Sequence, residues 1–138
     1  MTQTQSVEQR AYGLRRTTRL PYADAVEKAR EALRGQGFGV LTEIDVKATL
    51  KAKIDVDVAP YIILGACNPP LAYRTLTAEP EVGLLLPCNV VVRETPEGTI
   101  IEAMDPEAVM SLVKSPGVAE IAREVKARLS AALASIAG

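Results

Sequence analysis

The chain contains no histidine and no tryptophan, a single phenylalanine and only two cysteines. Without histidine, Ser-His-Asp and Cys-His nucleophile systems lose their usual base, and imidazole-bearing metal sites are excluded. Two thiolates fall short of a four-cysteine zinc site, so zinc would need carboxylate or water ligands, or a second subunit. Scarce aromatics leave the core to Val, Leu, Ile and Ala. No apolar run approaches the ~20 residues needed to cross a bilayer. The opening MTQTQSVEQR lacks the basic start and apolar core of a signal peptide. The expectation is therefore a cytoplasmic protein with no membrane partner and with reduced thiols, unless they have a redox task. A formal net charge of −1, with acids and bases interspersed, argues against a nucleic-acid partner. Arg15, Arg16 and Arg19 form one local basic cluster, which reads as a solvated face.

What is present suits one globular domain. The 138 residues predict a frayed, disordered segment over 1–6 and a single α+β domain over 7–138. In an extended chain, Tyr12, Leu14, Arg16 and Thr18 share one face, which suggests a strand between Gln9 and Arg19. Pro21 opens a helix with Tyr22, Val26, Ala29 and Leu33 at helical spacing, and Gly35 and Gly37 can end it. The run Gly35–Gly39 imitates a phosphate loop. It follows a helix rather than a strand, so it reads as a cap and the start of a strand over Phe38 to Ile44.

Residues 44–58 alternate apolar and polar with a two-residue period, which favours a strand. Lys, Ala and Leu favour helix, however, and Asp45 can cap one. The expectation adopted, partly on the resemblance given below, is a short helix from Asp45 to about Ile54. Tyr61 to Ala66 is a continuous apolar run that fits a buried central strand. A helix from about Pro70 follows, with Leu71, Ala72, Thr75 and Leu76 inward. Cys88 to Glu94 and Thr99 to Met104 make a hairpin about Thr95-Pro96-Glu97-Gly98. Asp105-Pro106-Glu107 starts a helix over Ala108 to Val113. Ser115-Pro116 starts a longer one, whose apolar stripe runs from Val118 to Ile136. The final hairpin rules out an all-parallel arrangement, so the sheet is mainly antiparallel, with helices packed on one face.

The stretch Tyr61 to Val92 holds both cysteines and four of the nine prolines. Cys67-Asn68 closes one apolar run and Cys88-Asn89 opens another. Adjacent strands would bring both pairs to one end of the sheet. Buried free cysteine is the ordinary reading of each thiol. A helix amino terminus or Arg74 nearby would instead activate one.

Three segments carry a family resemblance: GFGVLTEIDVKATLK (Gly37–Lys51), LGACNPPLA (Leu64–Ala72) and EVGLLLPCNVVV (Glu81–Val92). They resemble the bacterial and archaeal family called domain of unknown function 302, over about Val7 to Leu133. The resemblance implies an antiparallel sheet backed by helices, comparable with TATA-binding-protein-like topology and without any implication of DNA binding. It brings no established activity, and the cofactor is unknown. It maps the family motif onto Cys67, Asn68, Pro69, Leu86, Pro87 and Cys88, and implies that the thiols are a variation on a shared Asn-Pro and Leu-Pro.

The resulting expectation is a small binding or accessory domain, a homodimer, with an unidentified small ligand. Its pocket would involve Cys67, Asn68, Pro69, Tyr73, Pro87, Cys88 and Asn89. Two alternatives stand beside it. One is a thiol-dependent redox or metal-binding protein using Cys67 and Cys88. The other is a structural interaction module. Whether any reaction is catalysed is left open by the sequence.

Overall fold

The computed structural model describes residues 7–138, and the expected frayed segment 1–6 lies outside them. A six-stranded antiparallel sheet has the order β1-β2-β6-β5-β4-β3. Its strands are β1 (Glu8–Gln9), β2 (Gly13–Thr18), β3 (Gly39–Asp45), β4 (Tyr61–Cys67), β5 (Cys88–Thr95) and β6 (Gly98–Met104). The helices are α1 (Tyr22–Gly35), α2 (Val46–Ile54), α3 (Pro69–Ala78), α4 (Pro106–Met110) and α5 (Pro116–Ala134). A 3-10 helix over Pro80–Leu85 joins α3 to β5.

Strand periodicity sorts the side chains into two faces. Leu14, Ile62, Leu64, Ala66, Val90, Val92, Ile101 and Ala103 turn under the helices and are buried. The expected stripe on α5 meets them: Val118, Ile121, Ala122, Val125, Leu129 and Leu133 are all buried. Each such aliphatic side chain removed from water contributes about 1.5–3 kcal/mol. This aliphatic layer is therefore the main source of stability. Arg16 and Thr18 also lie on the covered face, where they latch the end of the chain. Arg16 Nη2 donates to the Ile136 carbonyl and Thr18 Oγ1 to that of Ala137.

The helix ends follow their sequence signals. Asp45 Oδ1 accepts from the Ala48 N–H, so residues 46–54 are a helix despite their two-residue alternation. Asn68 caps α3, Asp105 caps α4 and Ser115 caps α5, each followed by proline at the first helical turn. Gly37, at φ 86°, supplies the left-handed residue after α1, while Gly35 stays inside the helix.

Several expectations need correction. Tyr61–Cys67 is an inner strand next to the edge rather than a central one, and only one of its faces is fully covered. Tyr12 precedes β2 and is exposed instead of sharing the burial of Leu14. Helix α4 stops at Met110, short of Val113. Leu76 points partly to solvent while Thr75 is buried. The Arg15, Arg16 and Arg19 cluster does not form one patch, because neighbouring residues on β2 face opposite ways: Arg16 is buried and Arg15 lies on the open face.

Candidate functional site

Both Cys-Asn pairs sit where β4 ends and β5 begins. The strands pair Ala66 with Cys88 and Gly65 with Asn89. Cross-strand partners share a face, so Cys88 turns with Ala66 toward the helices and Asn89 turns with Gly65 toward the open side. Cys67 is one position further along β4 and starts from the opposite face to Cys88. Both thiols are free.

Two close approaches shape this end of the sheet. The Leu86-Pro87 peptide is cis, and Pro87 lies over Gly65. Thr42 covers the same glycine from β3, so a Cβ there would collide with its Oγ1 and come within 2.9 Å of Pro87 Cγ. Only glycine leaves room for both neighbours. On β3 the pairing skips Leu41, a bulge that leaves this leucine exposed.

Below this corner lies a cavity of about 400 Å³. Its walls come from Phe38, Leu41 and Thr42 on one side, and from Leu71, Ala72, Thr75 and Leu76 of α3. Ala66, Cys67 and Asn68, then Gly83, Leu86, Pro87 and Cys88, with Val125 of α5, complete it. Among the expected site residues, Cys67, Asn68, Pro87 and Cys88 thus border one cavity. Pro69 serves as the first residue of α3 and does not line it. Tyr73 is 73% exposed, away from the cavity. Asn89 opens onto the other face of the sheet, beside a different cleft.

Two polar side chains at the cavity, Asn68 and Thr75, are engaged by the fold. Asn68 Oδ1 accepts from the Leu71 N–H at 3.3 Å, and its Nδ2 donates to the Gln36 carbonyl at 3.4 Å. The asparagine therefore ties α3 to the end of α1. Thr75 Oγ1 donates to the Leu71 carbonyl within α3. Burial, then the neighbouring charge of Cys67, pushes the Cys88 thiol up to about 11. It is a neutral, weakly polar wall atom at ordinary pH. Arg74, a possible activator of a thiolate, is instead bridged to Glu124 at 3.5 Å. Among the described residues, no group of three or more His, Cys, Asp or Glu stands where it could hold a metal ion.

The model of the domain of unknown function DUF302 matches residues 14–136. The chain belongs to the DUF302 family. An uncharacterized conserved DUF302 protein from Bacillus stearothermophilus has a similar crystal structure, with 31% sequence identity and a TM-score of 0.83. The match covers 88% of this chain and 95% of that one. None of the curated proteins matches. The family resemblance and its α+β architecture are thus shown. No helix of the described DUF302 residues is long and apolar enough to cross a membrane.

The sequence points to Cys67, Asn68, Pro87 and Cys88 and to the inner side of α3, and gives no signal for Leu41, Thr42 and Gly83. Leu71, Ala72, Thr75 and Leu76, expected on the inner side of α3, all line the cavity. Val125 lies on the expected stripe of α5 and Leu86 in the family motif, whereas Phe38 arrives from a distant part of the chain with no local signal. The motif's asparagine also has a plainer meaning than a ligand contact: Asn-Pro is a helix cap followed by a helix-starting proline.

Proposed function

We propose that this DUF302 protein is a binding domain for a small, largely apolar molecule held in the cavity beside Cys67 and Cys88. The observation that carries the reading is the cavity itself, about 400 Å³ with almost wholly apolar walls. Ligand pockets typically span about 300–1,000 Å³, and this one suits a compact ligand. The engaged amide of Asn68 and the neutral thiol of Cys88 favour binding over chemistry. The thiol-redox alternative gains no support from this geometry, because Cys88 faces Ala66 and resists ionisation.

The test uses a series of linear alcohols up to 1-octanol in thermal unfolding. A ligand at ten times its Kd stabilises a single-site protein by about 1.4 kcal/mol. Unfolding of the wild-type protein should therefore shift upward, increasingly with chain length. In Ala72→Phe, which fills the cavity from α3, the shift should vanish. Equal shifts in both proteins, or none in the wild type, would remove the proposal.

A second reading concerns association. We propose that a second copy docks against β3 and α2. Neither element buries a side chain within the protomer; together they expose Leu41, Ile44 and Ile54, and Val56 is exposed just after α2. Contact through side chains suits this surface better than edge-to-edge strand pairing, since Glu43, Asp45 and the bulge blunt the strand edge. Leu41 also borders the cavity, so a docked copy would cover part of it. Light scattering should give twice the protomer mass, and Ile44→Asp should halve it; a monomer at high concentration would sink the idea.

A further inference from the structure

The uncovered face of the sheet carries a cluster that the fold does not require. Across it runs one row of facing residues: Ile44, Ile63, Val91, Glu102, Arg15 and Glu8. Arg93, diagonal to Glu102 on β5, joins the centre of this row. Glu102 Oε2 accepts from Arg15 Nε at 2.8 Å and lies 2.7 Å from Arg15 Nη2. Its Oε1 accepts from Arg93 Nε at 3.0 Å. All three side chains are about three-quarters withdrawn from solvent, at 23%, 28% and 25% exposure for Arg15, Arg93 and Glu102.

The charges in this trio do not balance. Two guanidinium groups share one carboxylate, which leaves an excess positive charge at a half-buried place. The excess is local, because the whole chain is formally −1. Desolvation alone would push the Glu102 carboxyl up, but hydrogen bonds and charge from Arg93 and Arg15 more than offset it and hold it low. Glu102 is therefore a firmly ionised strut, not a proton carrier.

The strut also orients its partners. Both arginines present their Nε edge to Glu102. Among the described residues, Glu102 is the only group that pairs with either guanidinium, so the donors turned away from it have no second protein partner. These donors border a cleft of about 590 Å³, with Tyr12 and Arg10 on one side and Tyr61 and Asn89 on the other. Arg10 is paired with Glu8 at 2.6 Å and adds little net charge. Planar guanidinium forks match carboxylate and phosphate oxygens, and holding them in place beforehand lowers the ordering cost of binding.

We propose that the open face is a second, independent binding site, for a small carboxylate- or phosphate-bearing molecule held by the outer ends of Arg15 and Arg93. A second copy stacked on this face is the weaker occupant, because a two-fold arrangement would set like charges against each other. The site is separated from the apolar cavity by the sheet, so each can be filled or emptied without the other.

Calorimetric titration with inorganic phosphate and with benzoate, against sodium chloride at matched ionic strength, tests this. Saturable binding is expected for at least one of the two anions, and the pair distinguishes phosphate from carboxylate recognition. Arg93→Met keeps the Arg15–Glu102 pair balanced and should weaken the preferred anion about tenfold or more, since hydrogen bonds to charged groups carry about 1.5–3 kcal/mol. Lys114→Met, on the loop before α5, should leave the affinity unchanged. If Arg93→Met does not fold, the Nε–H resonances of Arg15 and Arg93 in the wild type carry the test, and both should move together on titration. No saturable response beyond chloride, or an equal response in a folded Arg93→Met, overturns the site. A mass doubling that Arg93→Met abolishes also overturns it, in favour of a second copy.

Discussion

The same dipeptide, Cys-Asn, occurs twice at one corner of the molecule and means something different each time. At Cys67-Asn68 the strand is ending, and the asparagine turns inward to cap α3 and hold the Gln36 carbonyl. At Cys88-Asn89 the strand is starting, and alternation splits the pair between the two faces. Cys88 becomes a wall of the apolar cavity, while Asn89 reaches the arginine-lined cleft. The contrast teaches that a repeated motif carries no fixed chemistry. Its register in the sheet assigns the role.

That contrast can be broken most sharply at the thiols. An ordinary cysteine, with a pKa of ~8.5, is roughly one-quarter thiolate at pH 8. Cys88, pushed up to about 11, is about one part in a thousand thiolate there, so its alkylation should lag a free model thiol by about two orders of magnitude. The thiolate fraction grows with pH, so the rate should climb about tenfold per pH unit until it levels near 11. Half-buried Cys67 should label first. Mass spectrometry of iodoacetamide-treated protein separates the two, and equal rates would erase the distinction.

A smaller effect tests the corner on which both pairs depend. Gly65→Ala inserts a methyl between Thr42 and Pro87 and should cost about 1–3 kcal/mol in urea unfolding. An unchanged midpoint would show that the two neighbours yield freely.

The last comparison is between the asparagines. Asn68→Ala should lose about 1 kcal/mol, the usual worth of a helix cap. Asn89→Ala, at an exposed strand position, should stay within about 0.5 kcal/mol. Equal losses would mean that the two asparagines are not as different as their hydrogen bonds indicate.

Much of the fold was legible because its signals are local. Pro and Gly marked the turn at Thr95–Gly98, Asp-Pro and Ser-Pro marked two helix starts, and Pro70 marked a third within one residue. The stripe on α5 named most of the residues it buries. Residues 44–58 were harder, since their alternation fits a strand as well as a capped helix. The cap bond to Asp45 decides for helix. The cavity was only half legible: its cysteines stand beside conspicuous motifs, whereas Phe38 and Val125 meet there through tertiary packing. The arginine cleft was not legible. Alternation could place Arg15 on the far side of β2, but nothing in the sequence states that β2 lies beside β6, which brings Glu102 to it.

That last neighbour relation also sets a timetable. Arg15 and Glu102 are 87 residues apart, and the strands carrying them join the edge pair β1–β2 to the middle of the sheet. Hairpin β5–β6 closes over a few residues, as soon as it exists. Strand β2 must wait for it, and its covered face is finished only when the residues after α5 reach Arg16 and Thr18. Long-range pairings of this kind slow folding. On the ribosome, β2 and α1 would therefore spend most of synthesis without β6 and α5, with their apolar faces open to whatever else is nearby.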